Sequence, residues 1–251
     1  MASSRYDSTR RAWQDIWNAA DIDVELKAVQ SARSMATIQH YLPYLPKSVP
    51  ILEAGSGLSA VVMTLRQMGY NVTGLDYAVN ALQASRAYDP TLTLTGGDIH
   101  HLPFAAGSFG AYLSFGVLEH FEHGMQPALR EAQRVLQPNG ALVLTIPYPN
   151  VVWQAVQLKR RLSGQSTLTD ADFYESTYTE RDLIANVQQA GFRVMTVQPT
   201  SHAFTLWGIG AAFRAAGYYE TSRLAERLGA LAAQYAAWPF NFMTLIVARR
   251  R

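Results

Sequence analysis

Along the chain, short apolar runs alternate with stretches in which apolar positions recur every three or four residues, the signature of strands alternating with helices. Residues 8–41 are helical in period. Trp13, Ile16 and Trp17 share one face early on, and Ala28, Met35, Ile38 and Leu42 continue it, until Pro43, Pro46 and Pro50 punctuate the chain. A short apolar strand (Ile51, Leu52, Ala54) then stops at Gly55-Ser56-Gly57, and a helix over 60–68 closes at Gly69. The same alternation predicts a strand over 71–75 ending at Asp76, a helix over 78–86, a strand over 92–95 and a loop over 100–107. A fourth strand over 109–115 and a helix over 127–136 come next. Gln137-Pro138-Asn139-Gly140 reads as a turn before a fifth strand over 141–146, which Pro147 and Pro149 break.

The second half is less regular. A polar, aromatic stretch over 165–178 precedes a helix over 180–190, with Thr179 as its N-cap and Gly191 as its stop, and a sixth strand over 193–198. Residues 202–238 are alanine-rich, helical in period and dotted with aromatics, and the last strand (242–248) comes only afterwards. That segment therefore reads as a helical insertion, either a cap over the sheet's edge or a dimer face. Strands and helices in this order describe an α/β, doubly wound, mostly parallel sheet covered on both faces. Ligands of such sheets sit at the carboxyl ends of the strands, where Gly55, Asp76 and Asp98 all fall.

Composition narrows this picture. With 251 residues, 49% hydrophobic and 16% charged, the chain suits one compact domain with a sizeable core. The formal net charge of +2 is too mild to argue for nucleic acid or a membrane surface. Lys159-Arg160-Arg161 fits the favoured cationic end of a helix, and Arg249-Arg250-Arg251 a solvated tail. The chain has no cysteine, which excludes disulfides and thiolate metal sites. No apolar run is long enough to span a bilayer, and a cytoplasmic protein is the default expectation.

The glycine turn carries the candidate chemistry. Gly55-Ser56-Gly57-Leu58-Ser59-Ala60 satisfies a dinucleotide fingerprint, with Asp76 placed 21 residues after Gly55 where a ribose-binding acid belongs. An NAD-binding oxidoreductase is thus a real alternative. Glu53 speaks against it, because a carboxylate just before the glycines repels a pyrophosphate yet suits a cationic amino group. Asp98 can accept a hydrogen bond from an exocyclic amine while Ile99 offers an apolar face to a flat ring. Together these residues suit a ligand with an ammonium, a ribose diol and an adenine, and no phosphate.

The ordered segments ILEAGSG, GLDY, GGDIHHLPF, SFGAYLSFGVLEHF and RVLQPNGALVLTIP resemble the class I S-adenosylmethionine-dependent methyltransferases of the small-molecule type. The resemblance covers residues 48–150 closely and extends more weakly through TYTERDLIANVQQAGFRV. It implies a Rossmann-like seven-stranded sheet whose seventh strand runs antiparallel between the fifth and sixth. It also implies one domain: an N-terminal helical segment (1–47), a cofactor-binding core (48–150), and a part (151–251) carrying substrate-side loops, the insertion and the last strand. S-adenosylmethionine would be the cofactor and S-adenosylhomocysteine the product. Glu53, Gly55, Ser56 and Gly57 would line the methionine end, Asp76 would hold the ribose, and Tyr77, Asp98 and Ile99 would meet the adenine. Phe115, Gly116 and Val117 would form the wall near the sulfonium. Gly110 stands where the family usually carries an aspartate.

Methyl transfer from a sulfonium is an in-line displacement that needs alignment and dryness, with a general base optional. His120, just after the fourth strand, is the candidate base, and the alternative is that Glu119-His120 caps and packs a helix start. Glu119, His120, Glu122 and His123 could suggest a metal, but Gly116 occupies the position where metal-binding relatives carry a glutamate, so no metal is expected. Tyr148, Asn150, Tyr178, His202 and Trp207, with Tyr174, are the substrate-side candidates, and Trp13 and Trp17 are packing residues or a lid. The acceptor is expected to be a small or lipid-like molecule methylated on oxygen, nitrogen or carbon. Nucleic acid is not expected as a partner, and a homodimer through the insertion is one option. A catalytically silent cofactor-binding protein with the same fold is the remaining alternative.

Overall fold

The computed structural model describes residues 5–163, 175–215 and 220–251, with side chains from Thr9 onward. Tyr174 lies outside the described residues. Three helices lead in: α1 (Arg5–Ala19), α2 (Ile22–Val29) and α3 (Ala32–Tyr41). Asp21 starts α2 by accepting from the Asp23 and Val24 amides, and Ser31 starts α3 by accepting from the Ser34 amide. The core then alternates β1 (Ile51–Ala54), α4 (Ala60–Gln67), β2 (Val72–Asp76), α5 (Val79–Tyr88), β3 (Thr93–Gly96), β4 (Phe109–Phe115), α6 (Gln126–Val135) and β5 (Leu136–Pro147). After it come α7 (Val151–Leu162), α8 (Glu180–Gln189), β6 (Phe192–Thr200), α9 (His202–Trp207), α10 (Arg223–Tyr235), α11 (Ala237–Phe240) and β7 (Met243–Arg250).

The seven strands form one sheet in the order β3-β2-β1-β4-β5-β7-β6. β7 is antiparallel to both of its neighbours and the other pairings are parallel, which is the topology the resemblance implies. Period-two alternation along the central strands feeds two cores. Leu52, Tyr112, Leu142 and Leu144 point to the face covered by α6 and α8, while Ile51, Leu113, Ala141 and Val143 point to the face covered by α3 and α4. Every residue of β1 and β2 is buried, so their carboxyl ends are held rigidly.

Three departures from the sequence reading have physical causes. The helical period over 8–41 is three helices, because Asp21 and Ser31 supply caps inside it. β5 begins directly at Leu136 and absorbs the expected turn as a bulge: Phe109 pairs with Leu136 and Ala111 with Ala141, with Asn139 at φ +60°. Gly110 belongs to this packing. A Cβ on it would lie 2.7 Å from Pro46, and one on Gly140 would lie 3.3 Å from the Gly110 carbonyl. The third departure is α7, of which only the basic end was legible: Asn150 caps it through the Trp153 amide, and it buries no residue.

The insertion is a small unit with its own apolar cluster of Ala203, Leu206 and Ala225. α10 crosses α9 so closely that a Cβ on Gly229 would sit 2.6 Å from the Ala203 nitrogen.

Candidate functional site

Chain reversal at the end of β1 places Gly55 at φ +83° and Gly57 at φ +47°, a region that costs any other residue strain. Space forbids a side chain there too. A Cβ on Gly55 would lie 2.5 Å from Val117, and one on Gly57 would lie 2.4 Å from Trp17. The Gly55 and Ser56 amides donate to the Leu75 carbonyl at 2.8 and 3.0 Å, tying the turn to β2. Asp76 completes the tie, since its carboxylate accepts from the Gly57 and Ala78 amides, each at 2.8 Å. The Tyr77 amide donates to it as well, and a carboxylate with about four acceptor sites still has room to accept from a diol.

Glu53 sits beneath this turn, 4% exposed, with its Oε2 buried and unpartnered. Burial pushes its carboxyl up to about 8, with Asp76 nearby adding to the rise, although the Val62 amide donates to it and works the other way. An orphaned buried carboxyl oxygen facing a cavity is the mark of a site shaped for a donor that the protein itself does not supply.

The cavity has a volume of about 210 Å³. All ten residues expected at the cofactor line it: Glu53, Gly55, Ser56, Gly57, Asp76, Tyr77, Asp98, Ile99, Phe115 and Gly116. Val117 and His120 line it as well. Asp98 accepts from the His100 amide at 2.9 Å and pairs with the His100 ring at 2.9 Å, and that ring stands edge-on to Phe121 at 4.2 Å. Ile99 is 4% exposed and also belongs to the core, while Phe115 stacks on Tyr41 at 5.5 Å. Gly116, at φ +66°, donates its amide to the Thr145 carbonyl at 3.1 Å.

His120 follows in a short turn (Leu118–His120), 7% exposed, and its ring meets Trp13 at 5.3 Å. Beside it, Glu119 is 2% exposed with Oε2 buried and unpartnered, and burial holds its carboxyl well above the usual range. Its Oε1 stands 3.6 Å from where a Cβ on Gly116 would be.

The structure adds a roof. Thr9, Arg10, Trp13 and Trp17 of α1 line the cavity, with Glu25 and Val29 of α2. Trp13 and Trp17 stack at 5.4 Å, and the Arg10 guanidinium lies 5.2 Å from the Tyr77 ring centre. The aromatic face over 13–17 was legible as a face, but its target, more than thirty residues on in the chain, was not.

The five described substrate-side candidates lie elsewhere; none lines the cavity. Tyr148 packs against Trp238 at 5.7 Å, and Asn150 is the N-cap of α7. Tyr178 packs on the core. His202 is buried with its Nε2 3.0 Å from the Ala237 carbonyl oxygen, and Trp207 lies between Phe204 and the Arg214 guanidinium. The insertion contributes no described residue to the cavity, whereas α1 covers it from above.

Ionisable groups in the lining are mostly acidic: Glu25, Glu53, Asp76 and Asp98 against Arg10, with the raised Glu53 carboxyl gaining its charge when a cation binds beside it. Such a cavity repels a pyrophosphate and favours a ligand with net positive charge.

Comparison with known proteins agrees with this geometry. Residues 52–144 match a family model described as a methyltransferase domain. The chain is similar to a malonyl-[acyl-carrier protein] O-methyltransferase of Pseudescherichia vulneris, 25% identical over 75% of this chain and 74% of that protein. A 2-methyl-6-phytyl-1,4-hydroquinone methyltransferase of Oryza sativa subsp. japonica is 30% identical, over 39% of this chain and 29% of its own length. The fold is shared with the geranyl diphosphate C-methyltransferase of Streptomyces coelicolor A3(2), solved with S-adenosyl-L-homocysteine, at a TM-score of 0.62 and 11% identity over 100% of this chain and 99% of that one. The matched domain lies over the cavity, and with its seven-stranded sheet in the order 3-2-1-4-5-7-6 the chain has the Rossmann-like fold of the S-adenosylmethionine-dependent methyltransferases it resembles.

Proposed function

We propose that the cavity binds S-adenosylmethionine and that the protein methylates an oxygen, nitrogen or carbon of a small or lipid-like acceptor. The observation that carries this reading is the orphaned Glu53 carboxyl in a lining of four acids and one arginine. A ligand bearing a sulfonium and an ammonium answers that charge, and a dinucleotide does not.

When bound, the cofactor supplies an activated methyl group. Glu53 holds the ammonium, Asp76 accepts from the ribose hydroxyls through its remaining lone pairs, and Tyr77, Asp98 and Ile99 bracket the adenine. Gly55, Gly57 and Gly116 keep side chains out of the volume the cofactor needs. Trp13 and Trp17 exclude water from above. His120 then lies on the acceptor side, between Trp13 and the end of β4, where it can take a proton from an acceptor hydroxyl or amine. The surroundings there are Trp13, His120 and Phe121, which favour an acceptor with an apolar or aromatic body. Similarity to a methyltransferase named for a phytyl hydroquinone supports an acceptor with such a body.

Thermal shift with S-adenosylhomocysteine and with NAD, each alone, tests the reading. Stabilisation by the first and none by the second is expected, and the reverse overturns it.

A further inference from the structure

Among the described residues thirteen large hydrophobics are exposed, and seven of them form two stripes, on α7 and α10, while Trp153 and Val156 stand on the other side of α7. Scattered exposed apolar side chains mean little, but concentration on two elements marks a surface that something covers.

On α7, Val151, Leu158 and Leu162 are 39, 58 and 81% exposed. With Ala155 they recur in steps of four, three and four, forming one stripe along the helix. At about 100° per residue, Lys159 and Arg161 fall about 80° to either side of that stripe. Both cations are exposed, and α7 carries no acidic residue. On α10, Leu224, Leu228, Leu231 and Tyr235 repeat the same steps, 39 to 77% exposed, while Ala225 and Gly229 face inward. Its cations are Arg223 and Arg227, and its single acid, Glu226, accepts a hydrogen bond from Thr221. The short helix α11 packs against both α7 and α10, so the two stripes stand on neighbouring elements.

We propose that α7 and α10 form a docking surface for an anionic lipid bilayer. Four cations beside the two stripes, Lys159, Arg161, Arg223 and Arg227, against one acid match a negatively charged surface. Lysine and arginine stems on both sides of an apolar stripe let the stripe sink to the acyl boundary while the charges stay with the headgroups. The apolar side chains stand proud on outward helices, so the occupant must yield around them, as acyl chains do. A second copy of the chain would set Lys159, Arg160 and Arg161 against themselves, which disfavours a dimer through α7. The overall charge of +2 conceals this surface because acids elsewhere balance it.

Co-sedimentation of the full chain with vesicles tests the proposal, using phosphatidylcholine alone and phosphatidylcholine mixed three to one with phosphatidylglycerol. Binding to the mixed vesicles at least tenfold tighter than to phosphatidylcholine, and weakening with salt, is expected. The double variant K159E/R161E should bind them about 25-fold more weakly or worse, at roughly fivefold per cation removed. L158E/L162E should release the protein as well. Both variants should keep the melting temperature and the affinity for S-adenosylhomocysteine, so failure here is separable from failure of the cofactor reading. Equal binding to the two vesicle types, or binding to neither, overturns the proposal whatever the variants do. So does a dimer, or a complex with an acidic protein, that L158E/L162E abolishes while vesicle binding is absent.

Discussion

The carboxyl ends of β1, β2 and β4 and the helices α7, α10 and α11 answer different physical demands. In the first region every polar group is placed by buried strands, and glycines stand where a single carbon would collide with Val117 or Trp17. In the second, α7 buries nothing and leucines line the outside. The lesson is that rigidity was spent on the cofactor half, whereas the region after β5 keeps an apolar surface on α7 and α10 that no other described residue covers. Substitutions in the first region should therefore move ligand affinity, and those in the second should leave it alone.

The largest expected effect is at Gly57. Alanine there meets Trp17 and must hold φ +47°, so S-adenosylhomocysteine binding should fall by at least about 100-fold, close to 3 kcal/mol. Adding Trp17→Ala should recover part of this, because the collision is relieved while the backbone strain of about 1 kcal/mol stays. Gly229→Ala is the control from the other region. It should lower the melting temperature by pushing α10 off Ala203, with ligand affinity unchanged in calorimetry. Loss of affinity in Gly229→Ala would break the comparison.

Next is Asp76. Removing its carboxylate takes away the acceptor for the Gly57 and Ala78 amides as well as the proposed ribose contact. Asp76→Ala should cost binding on the order of 2 kcal/mol, since charge-assisted bonds are lost and buried amides are stranded. Asp76→Asn keeps one acceptor oxygen and should lose less. Equal affinity in all three proteins by calorimetry would remove Asp76 from the site.

What could be read beforehand follows the same division. Glu53, Gly55, Gly57 and Asp76 were legible because strand, turn and acid lie at fixed short spacings and each residue type has one physical use there. The sheet order followed from the resemblance. Trp13, Trp17 and Arg10 were visible only as a helix face, because which surface an amphipathic helix covers is settled by long-range packing. For Tyr148, His202 and Trp207 the residue type suggests substrate chemistry, but aromatic composition does not say where a ring points; each packs on a neighbour outside the cavity. The bulged start of β5 was hidden by residues that spell a turn, and only the facing Gly110 and Gly140 make room for it to pair.

Glu53 gives a pH test. Its carboxyl is raised to about 8 in the folded protein, whereas in the unfolded chain it titrates near its ordinary 4.5. Between those values the native state holds one more proton, so stability is lost as pH rises, on the order of 1 kcal/mol per pH unit, and levels off above about 8. Glu53→Gln should flatten that slope in denaturant titrations of the ligand-free protein. A bound ammonium favours the ionised carboxylate, so the wild type should release a proton on binding at pH 7, and its affinity should rise from pH 6 to 8. Calorimetry in buffers of different ionisation enthalpy measures the proton. No proton released, with a flat affinity, would mean that Glu53 does not meet the ammonium.

The smallest effect sharpens the comparison most finely. Asn150 was a substrate candidate by its position after the fifth strand, yet its Oδ1 accepts from the Trp153 amide at 2.9 Å and starts α7. Asn150→Ala should cost the helix about 1 kcal/mol. Because α7 buries no residue, that cost stays local: the global melting temperature should barely move, and affinity for S-adenosylhomocysteine should match the wild type. Vesicle binding, which needs the stripe and its cations on one helical wheel, should weaken a few-fold. Asn150→Asp retains an acceptor at the cap and should restore the helix. It also places a negative charge on an otherwise acid-free helix, so vesicle binding should recover only in part. A changed KM for acceptor in Asn150→Ala, with vesicle binding intact, would return Asn150 to the substrate side and move the boundary between the two regions to the far end of α7.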